Sequence, residues 1–257
     1  MIRETVKQKI KLSVILVAIA IAISFALFTV MKYQVEGEKV VPFKLGKVIV
    51  ISSASTTDAS NEEKNADQNT ENENYIWNEK VVQTNDLYIY IDKNQEYKKD
   101  KIIKSVKIEN IQILENVKVG KIQVYMPNSL DNGLYKYSDE YLVNSTLTYT
   151  GASADNKKTL EIGNQGGCIC ISFANMGLGN YKSNDDELIE QGAAILQKMN
   201  IANEDLKFKI SFDLIIEVDD IAYKTNMVLD LPIDEIVGQK ETHKEITNFD
   251  NVIFKRL

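Results

Sequence analysis

Residues 207–231 read KFKISFDLIIEVDDIAYKTNMVLDL, and their period of two decides the fold class. Phe208, Ile210, Phe212, Leu214, Ile216 and Val218 fall on one face of an extended chain, with Lys207, Lys209, Ser211, Asp213 and Glu217 on the other. After Asp219-Asp220 the pattern returns through Tyr223, Thr225, Met227, Leu229 and Leu231 and stops at Pro232. Successive side chains of a strand point to opposite faces, so the stretch predicts a long antiparallel hairpin with one apolar face to bury. Proline lacks the N–H that a ladder needs, which closes the second strand.

The same period extends upstream. Leu87, Ile89 and Ile91 alternate with Tyr88, Tyr90 and Asp92, and Val106, Ile108, Asn110 and Gln112 are expected on the face opposite Lys107, Glu109, Ile111 and Ile113. Val40 to Ser52 (VVPFKLGKVIVIS) reads as one or two strands, and Gly120 to Met126, Tyr141 to Tyr149, Leu160 to Ile162 and Cys168 to Ala174 as others. Turn chemistry separates them at Pro127-Asn128-Ser129, Asp131-Asn132-Gly133 and Gly151. Short strands at this spacing, without alternating helices, predict a mainly β fold, an antiparallel β-sandwich-like domain. One segment departs from it. Asn184-Asp185-Asp186-Glu187 has the spacing of a capping box, and Leu188, Gly192, Ile195, Leu196 and Met199 follow on one helical face, which predicts a single crossover helix over about 185–199. The tail from Asp234 is charged except for Phe249, Val252, Ile253 and Phe254, enough for a final short strand.

Two segments stand outside this pattern. Ala54 to Asn74, ASTTDASNEEKNADQNTENEN, has no large apolar residue and predicts a disordered or long exposed acidic loop, because it has nothing to bury in exchange for ordering. Leu12 to Met31, LSVILVAIAIAISFALFTVM, carries no charge over twenty residues. A helix of that length reaches about 30 Å, the thickness of a bilayer's hydrocarbon core. Arg3, Lys7, Lys9 and Lys11 precede it against Glu4 alone, which places the N-terminal side in the cytoplasm. A cleaved secretory signal is the rival reading, but such signals have a shorter apolar core and a small-x-small cleavage site, and Phe28 to Tyr33 offers none. The expected organisation is a cytoplasmic segment 1–11, a transmembrane helix 12–31 in contact with lipid, and an extracytoplasmic β-rich domain 32–257 containing the acidic loop 54–74.

The chain carries 30 Lys+Arg against 37 Asp+Glu, and beyond residue 31 the net charge is −10. So acidic a surface repels polyanions, which argues against a nucleic-acid partner unless folding gathers a local basic patch. Lys supplies nearly all the positive charge, with Arg3 and Arg256 the two arginines, and Asn, Ile and Tyr abound while Pro is scarce. That bias points to an AT-rich bacterial genome. Two cysteines exclude a disulfide-stapled scaffold.

Candidate chemistry is sparse. Cys168 and Cys170 lie two apart in a strand, with parallel side chains and Cα atoms at the wide limit for a disulfide, and read as buried or half-buried structural thiols. His243 sits in a charged stretch and reads as solvent-exposed, with no nucleophile elbow to serve. The acids Asp185-Asp186-Glu187 and Asp219-Asp220 lack calcium-loop spacing and read as a helix cap and a hairpin turn. Gly166-Gly167 reads as a bulge or strand start rather than a phosphate loop. Tyr88, Tyr90, Tyr135, Tyr137, Tyr141 and Tyr149 offer a recognition surface if they share a face, and otherwise cross-strand packing.

No catalytic, cofactor-binding or metal-ligating residue is assigned. The sequence predicts a single-pass membrane-anchored protein with a non-enzymatic envelope structural or protein-interaction role and an envelope protein as its partner. The alternatives are a pilin-like or secretion-apparatus subunit, whose processing site and helix glutamate have no counterpart in this chain, and an envelope hydrolase using carboxylates brought together by folding.

Overall fold

The computed structural model describes residues 2–59, 77–127, 135–137, 146–153, 160–183 and 192–257. A helix α1, Ile2–Val30, runs into a π-helical turn at Met31–Val35. Its apolar stretch Lys11–Val35 is long and apolar enough to cross a membrane, and none of it is buried in the protein. Within it the Thr29 hydroxyl donates to the Phe25 carbonyl at 2.9 Å, so a polar side chain in an apolar helix is satisfied by its own backbone.

The remainder is mainly β and forms two sheets. The first contains β1 (Phe43–Asp58), β2 (Trp77–Lys93), β4 (Lys121–Pro127), β5 (Tyr135–Tyr137), β8 (Gly166–Met176), β9 (Asn180–Ser183) and β12 (Glu241–Ile246), in the order β12-β1-β2-β8-β4-β5 with β9 also on β2. The second contains β3 (Ile103–Glu115), β6 (Leu147–Gly151), β7 (Glu161–Ile162), β10 (Phe208–Val218), β11 (Ile221–Leu231) and β13 (Lys255–Arg256), in the order β13-β11-β10-β3-β6-β7. Every pairing is antiparallel except β6 with β7.

The hairpin lies at the centre of the second sheet. Phe208 pairs with Leu231 and Val218 with Ile221, and all six residues of the apolar face of β10 are buried. They share one core with Val48 and Val50 of β1, Leu87, Ile89 and Ile91 of β2, and Ile169, Ile171 and Phe173 of β8 in the other sheet. The Phe173 and Phe208 rings stand 6.3 Å apart across the interior. A smaller core gathers Ala54, Val81, Leu178, Ile195, Leu196, Leu206 and Ile236 under two short helices, α2 (Ala194–Lys198) and α3 (Asn203–Leu206).

The structure corrects the sequence reading at five places. In β3 the alternation breaks at Asn110, which takes φ +52°. Ser211 pairs with Gln112 but Asp213 with Glu109, so Asn110 and Ile111 together oppose Phe212. This is a β-bulge, and it turns Ile111 into the core, where it is buried beside Val106 and Ile108, instead of leaving it on the far face. Asparagine tolerates the left-handed region, and here its amide also donates to Asp213 at 2.6 Å. Asn110→Ala is therefore expected to cost about 1–2 kcal/mol more in urea unfolding than Asn110→Gly, since both lose the hydrogen bond and only alanine meets the left-handed penalty. Equal losses would contradict the bulge.

Second, β1 is one strand that continues to Asp58, where an exposed loop from Ala54 was expected. Ala54 pairs with Gln83 and Asp58 with Glu79 because β2 runs alongside that far, while 60–76 lie outside the described residues. Third, no continuous helix spans 185–199. Gly192 has φ +76°, and a Cβ there would lie 2.2 Å from the Lys240 carbonyl oxygen, so the chain turns sharply and α2 begins only at Ala194. The capping box at Asn184 to Glu187 lies outside the described residues. Fourth, Glu241–Ile246, read as charged tail, is the edge strand β12, paired from Val48 with Ile246 to Ser53 with Glu241. Fifth, Cys168 is exposed and only Cys170 is half-buried, because both lie on the outer register of β8 while Ile169 and Ile171 point inward.

The domain grips the exit of α1. Arg256 of β13 donates from Nε to Glu38 Oε2 at 2.9 Å and from Nη2 to Glu38 Oε1 at 2.5 Å. Its guanidinium lies 4.2 Å from the Tyr33 ring centre and 5.8 Å from that of Tyr223. The Glu38 amide donates to the Phe254 carbonyl at 2.9 Å. At Gly37, φ +86°, a Cβ would lie 2.2 Å from Ile253 Cγ2, so only glycine lets the chain pass so close.

Candidate functional site

Strands β1, β2, β8 and β4 place every second residue on the outer face of the first sheet. There a cavity of about 290 Å³ is lined by Ser55, Val82, Thr84, Asp86, Tyr125, Ser172 and Ala174. Cross-strand register builds it: Asp86 lies opposite Ser172, and Ser172 opposite Tyr125. The Ser172 hydroxyl, itself buried, donates to Asp86 Oδ1. The Tyr125 hydroxyl donates to Met176 Sδ at 3.8 Å, and the neighbouring Ser53 and Thr84 hydroxyls pair at 3.2 Å.

Asp86 dominates the electrostatics. Burial pushes its carboxyl above the usual carboxylate range, and the Ser172 hydrogen bond offsets this in part. Burial likewise raises the Tyr125 phenol. A carboxylate withdrawn from water and answered only by a hydroxyl costs free energy when ionised, and a positive or strongly donating ligand group would repay that cost. The arrangement places a hydroxyl donor directly on a buried carboxylate. Since the folded pKa lies above the unfolded one, stability falls as pH rises from the ordinary carboxyl range through the folded value. Asp86→Asn is accordingly expected to raise Tm at pH 7, with the gain shrinking as pH falls towards 4. An unchanged or lowered Tm at pH 7 would show that the carboxylate is already compensated.

The inner register of the same strands carries a second feature that period-two reading passes over. Gln83 and Asn85 are fully buried, in line with Leu87, Ile89 and Ile91, and Ser52 and Asn175 join them. Ser52 donates to Asn85 Oδ1 at 2.7 Å and Asn175 to the Val119 carbonyl at 2.9 Å, while Gln83 Oε1, Asn85 Nδ2 and Asn175 Oδ1 have no partner among the described residues. Ser52 and Asn85 mark where the large core gives way to the small one. Four inward polar residues in otherwise apolar registers were the available signal.

The other candidates do not meet in this cavity. Cys168 and Cys170 lie further along β8. The Tyr149 hydroxyl, reaching across from β6, donates to the Cys170 carbonyl at 2.6 Å and accepts from its N–H at 3.0 Å. It thereby satisfies β8 backbone at Cys170, where β4 pairs only from Ser172 on, and its phenol is held well above the usual range mainly by burial. His243 is exposed on β12, opposite Ile51. Asp219 and Asp220 form the hairpin turn, paired with Lys101 and, at 3.0 Å, with Lys104. Asp185 to Glu187 and Tyr141 lie outside the described residues. Gly166 opens β8 at φ +116° against the Ile91 carbonyl. The tyrosines are split between sheets, Tyr88 and Tyr90 on β2 and Tyr149 in the core.

No family model, no curated protein and no solved structure matches the chain.

Proposed function

We propose that the chain is a single-pass membrane protein, N-terminal side in the cytoplasm, holding a β-sandwich head outside the cytoplasm as a non-enzymatic binding or structural module of the envelope. The observation that carries this reading is α1, whose apolar stretch is wholly uncovered by the protein that grips its end. In water that helix would leave some twenty apolar residues exposed, whereas in a bilayer its backbone is internally bonded and its side chains are solvated by lipid. The four basic residues before it set the direction. The groove around Asp86 supports a binding role, with a cationic group of an envelope partner as its natural occupant.

The test is protease added to intact cells expressing the chain with an N-terminal tag, followed by carbonate extraction. The expected result is loss of the head with the tagged helix protected and retained in membranes. A head untouched until the cells are lysed, or release by salt alone, would overturn the reading.

A further inference from the structure

Beyond Met31, seven large apolar side chains are exposed among the described residues: Val35, Val40, Ile102, Leu114, Val228, Ile253 and Leu257. Leu114 and Val228 lie on β3 and β11, but the other five ring the end from which the helix leaves. Val35 and Val40 flank the exit, and Ile253 packs on Gly37. The Leu257 amide donates to the Ala222 carbonyl beside Tyr223. Ile102 ends the β2–β3 loop, which Asn94 ties to Val41 and Pro42 through bonds of 2.9 Å each. That loop also carries the half-buried Tyr97.

Charge at this end runs against the rest of the head. Lys32, Lys39, Lys44, Lys98, Lys99 and Lys255 are exposed, against exposed Glu36, Asp92, Glu96 and Asp250. Four further acids are ion-paired: Glu38 with Arg256, Asp100 with Lys93, Asp219 with Lys101 and Asp220 with Lys104. An apolar rim with tyrosines and lysines, on a domain that is otherwise strongly acidic, has the composition of a membrane–water interface. The arginine clasp leaves the chain no slack with which to lift this rim off the helix exit.

We propose that this end of the head is a second membrane contact, resting on anionic phospholipid. Val40, Ile102, Ile253 and Leu257 enter the interfacial zone around α1, Tyr33 and Tyr97 lie at headgroup depth, and the lysines meet lipid phosphate. This rests on the anchor reading above and adds to it, since a spanning helix alone would allow a head held clear of the lipid. Each lysine near an anionic surface adds electrostatic attraction, and each apolar side chain adds its desolvation.

The test uses the full chain with Cys168→Ser and Cys170→Ser, checked to melt as the parent does, and single cysteines introduced by Ile102→Cys, Val228→Cys or Ile21→Cys. Each is labelled with a polarity-sensitive dye and reconstituted into vesicles of phosphatidylcholine alone or mixed with phosphatidylglycerol, with a lipid-borne quencher. The expected result is that the label at 102 is quenched about twofold or more over that at 228, more strongly with phosphatidylglycerol, and that adding Lys98→Glu and Lys99→Glu removes the phosphatidylglycerol increment. Quenching at 102 no greater than at 228, with the label at 21 deep in lipid, overturns the rim contact and leaves the anchor standing. A label at 21 outside the lipid overturns the anchor itself. A lipid-independent signal at 102, or one indifferent to the lysine changes, overturns recognition of anionic headgroups.

Discussion

Phe212→Ala is expected to lower the stability of the head by about 3–5 kcal/mol. Phe212 is fully buried at the middle of β10, between β11 and β3, with Met227 opposite it on one side and the Asn110 bulge on the other. Its ring fills the interior that both sheets share, and the bulge fixes the neighbouring backbone so that collapse cannot close the space left behind. Against a total of about 5–15 kcal/mol for a typical domain, such a loss leaves little reserve at 37 °C. Urea unfolding of the full chain in detergent micelles, followed by the fluorescence of Trp77, should show a lower midpoint with an unchanged slope. Lys209→Ala, on the outer register of the same strand, should shift it by no more than about 0.5 kcal/mol. A loss below about 1 kcal/mol at Phe212 would mean that the sheets do not share one core.

The second large effect is expected at Arg256. Removing one partner of a fully buried ion pair costs about 3–5 kcal/mol, and since the Arg256 and Glu38 side chains are 30% and 15% exposed, solvent screening reduces the expectation for Arg256→Ala to about 2–3 kcal/mol. The change leaves the Glu38 carboxylate without its cation and uncovers the Tyr33 and Tyr223 rings, the latter a phenol pushed up to about 12, mainly by burial. Arg256→Lys keeps the charge but loses the planar fork and the stacking, and should fall between. Hydrogen exchange of the Glu38 and Leu257 amides reads this directly, because both are bonded only while β13 is seated. Accelerated exchange confined to those amides is the expected signature, and unchanged exchange would show the clasp to be incidental.

Much of the architecture was legible in the chain, for reasons visible at particular residues. The hairpin from Phe208 to Leu231 was readable because a strand with one buried face must alternate, and no bulge interrupts its pairing. In β3 the apolar register shifts from Val106 and Ile108 to Ile111 and Ile113, and the asparagine at the shift was the mark of the bulge. Strand β12 was illegible because an edge strand can be largely polar and charged; its lysine and two glutamates discourage pairing with another chain. Gly192 looked like one more small residue on a helix face, and only the Lys240 carbonyl beside it shows why no helix passes through. The groove around Asp86 was beyond sequence reading altogether: its lining comes from four strands, and the register that brings them together is set by long-range pairing.

The unbroken length of β1 sets a dimension. Ser55, in the groove, lies twelve residues along the strand from Phe43, which at 3.3 Å per residue is about 40 Å from the end gripped by Arg256. With its foot fixed and its shaft a continuous strand, the head is a post of set height rather than a lure on a line. On the proposed binding reading, a partner for Asp86 would have to reach down to that level or project up to it from the surrounding surface, so stature would select among binders alongside charge.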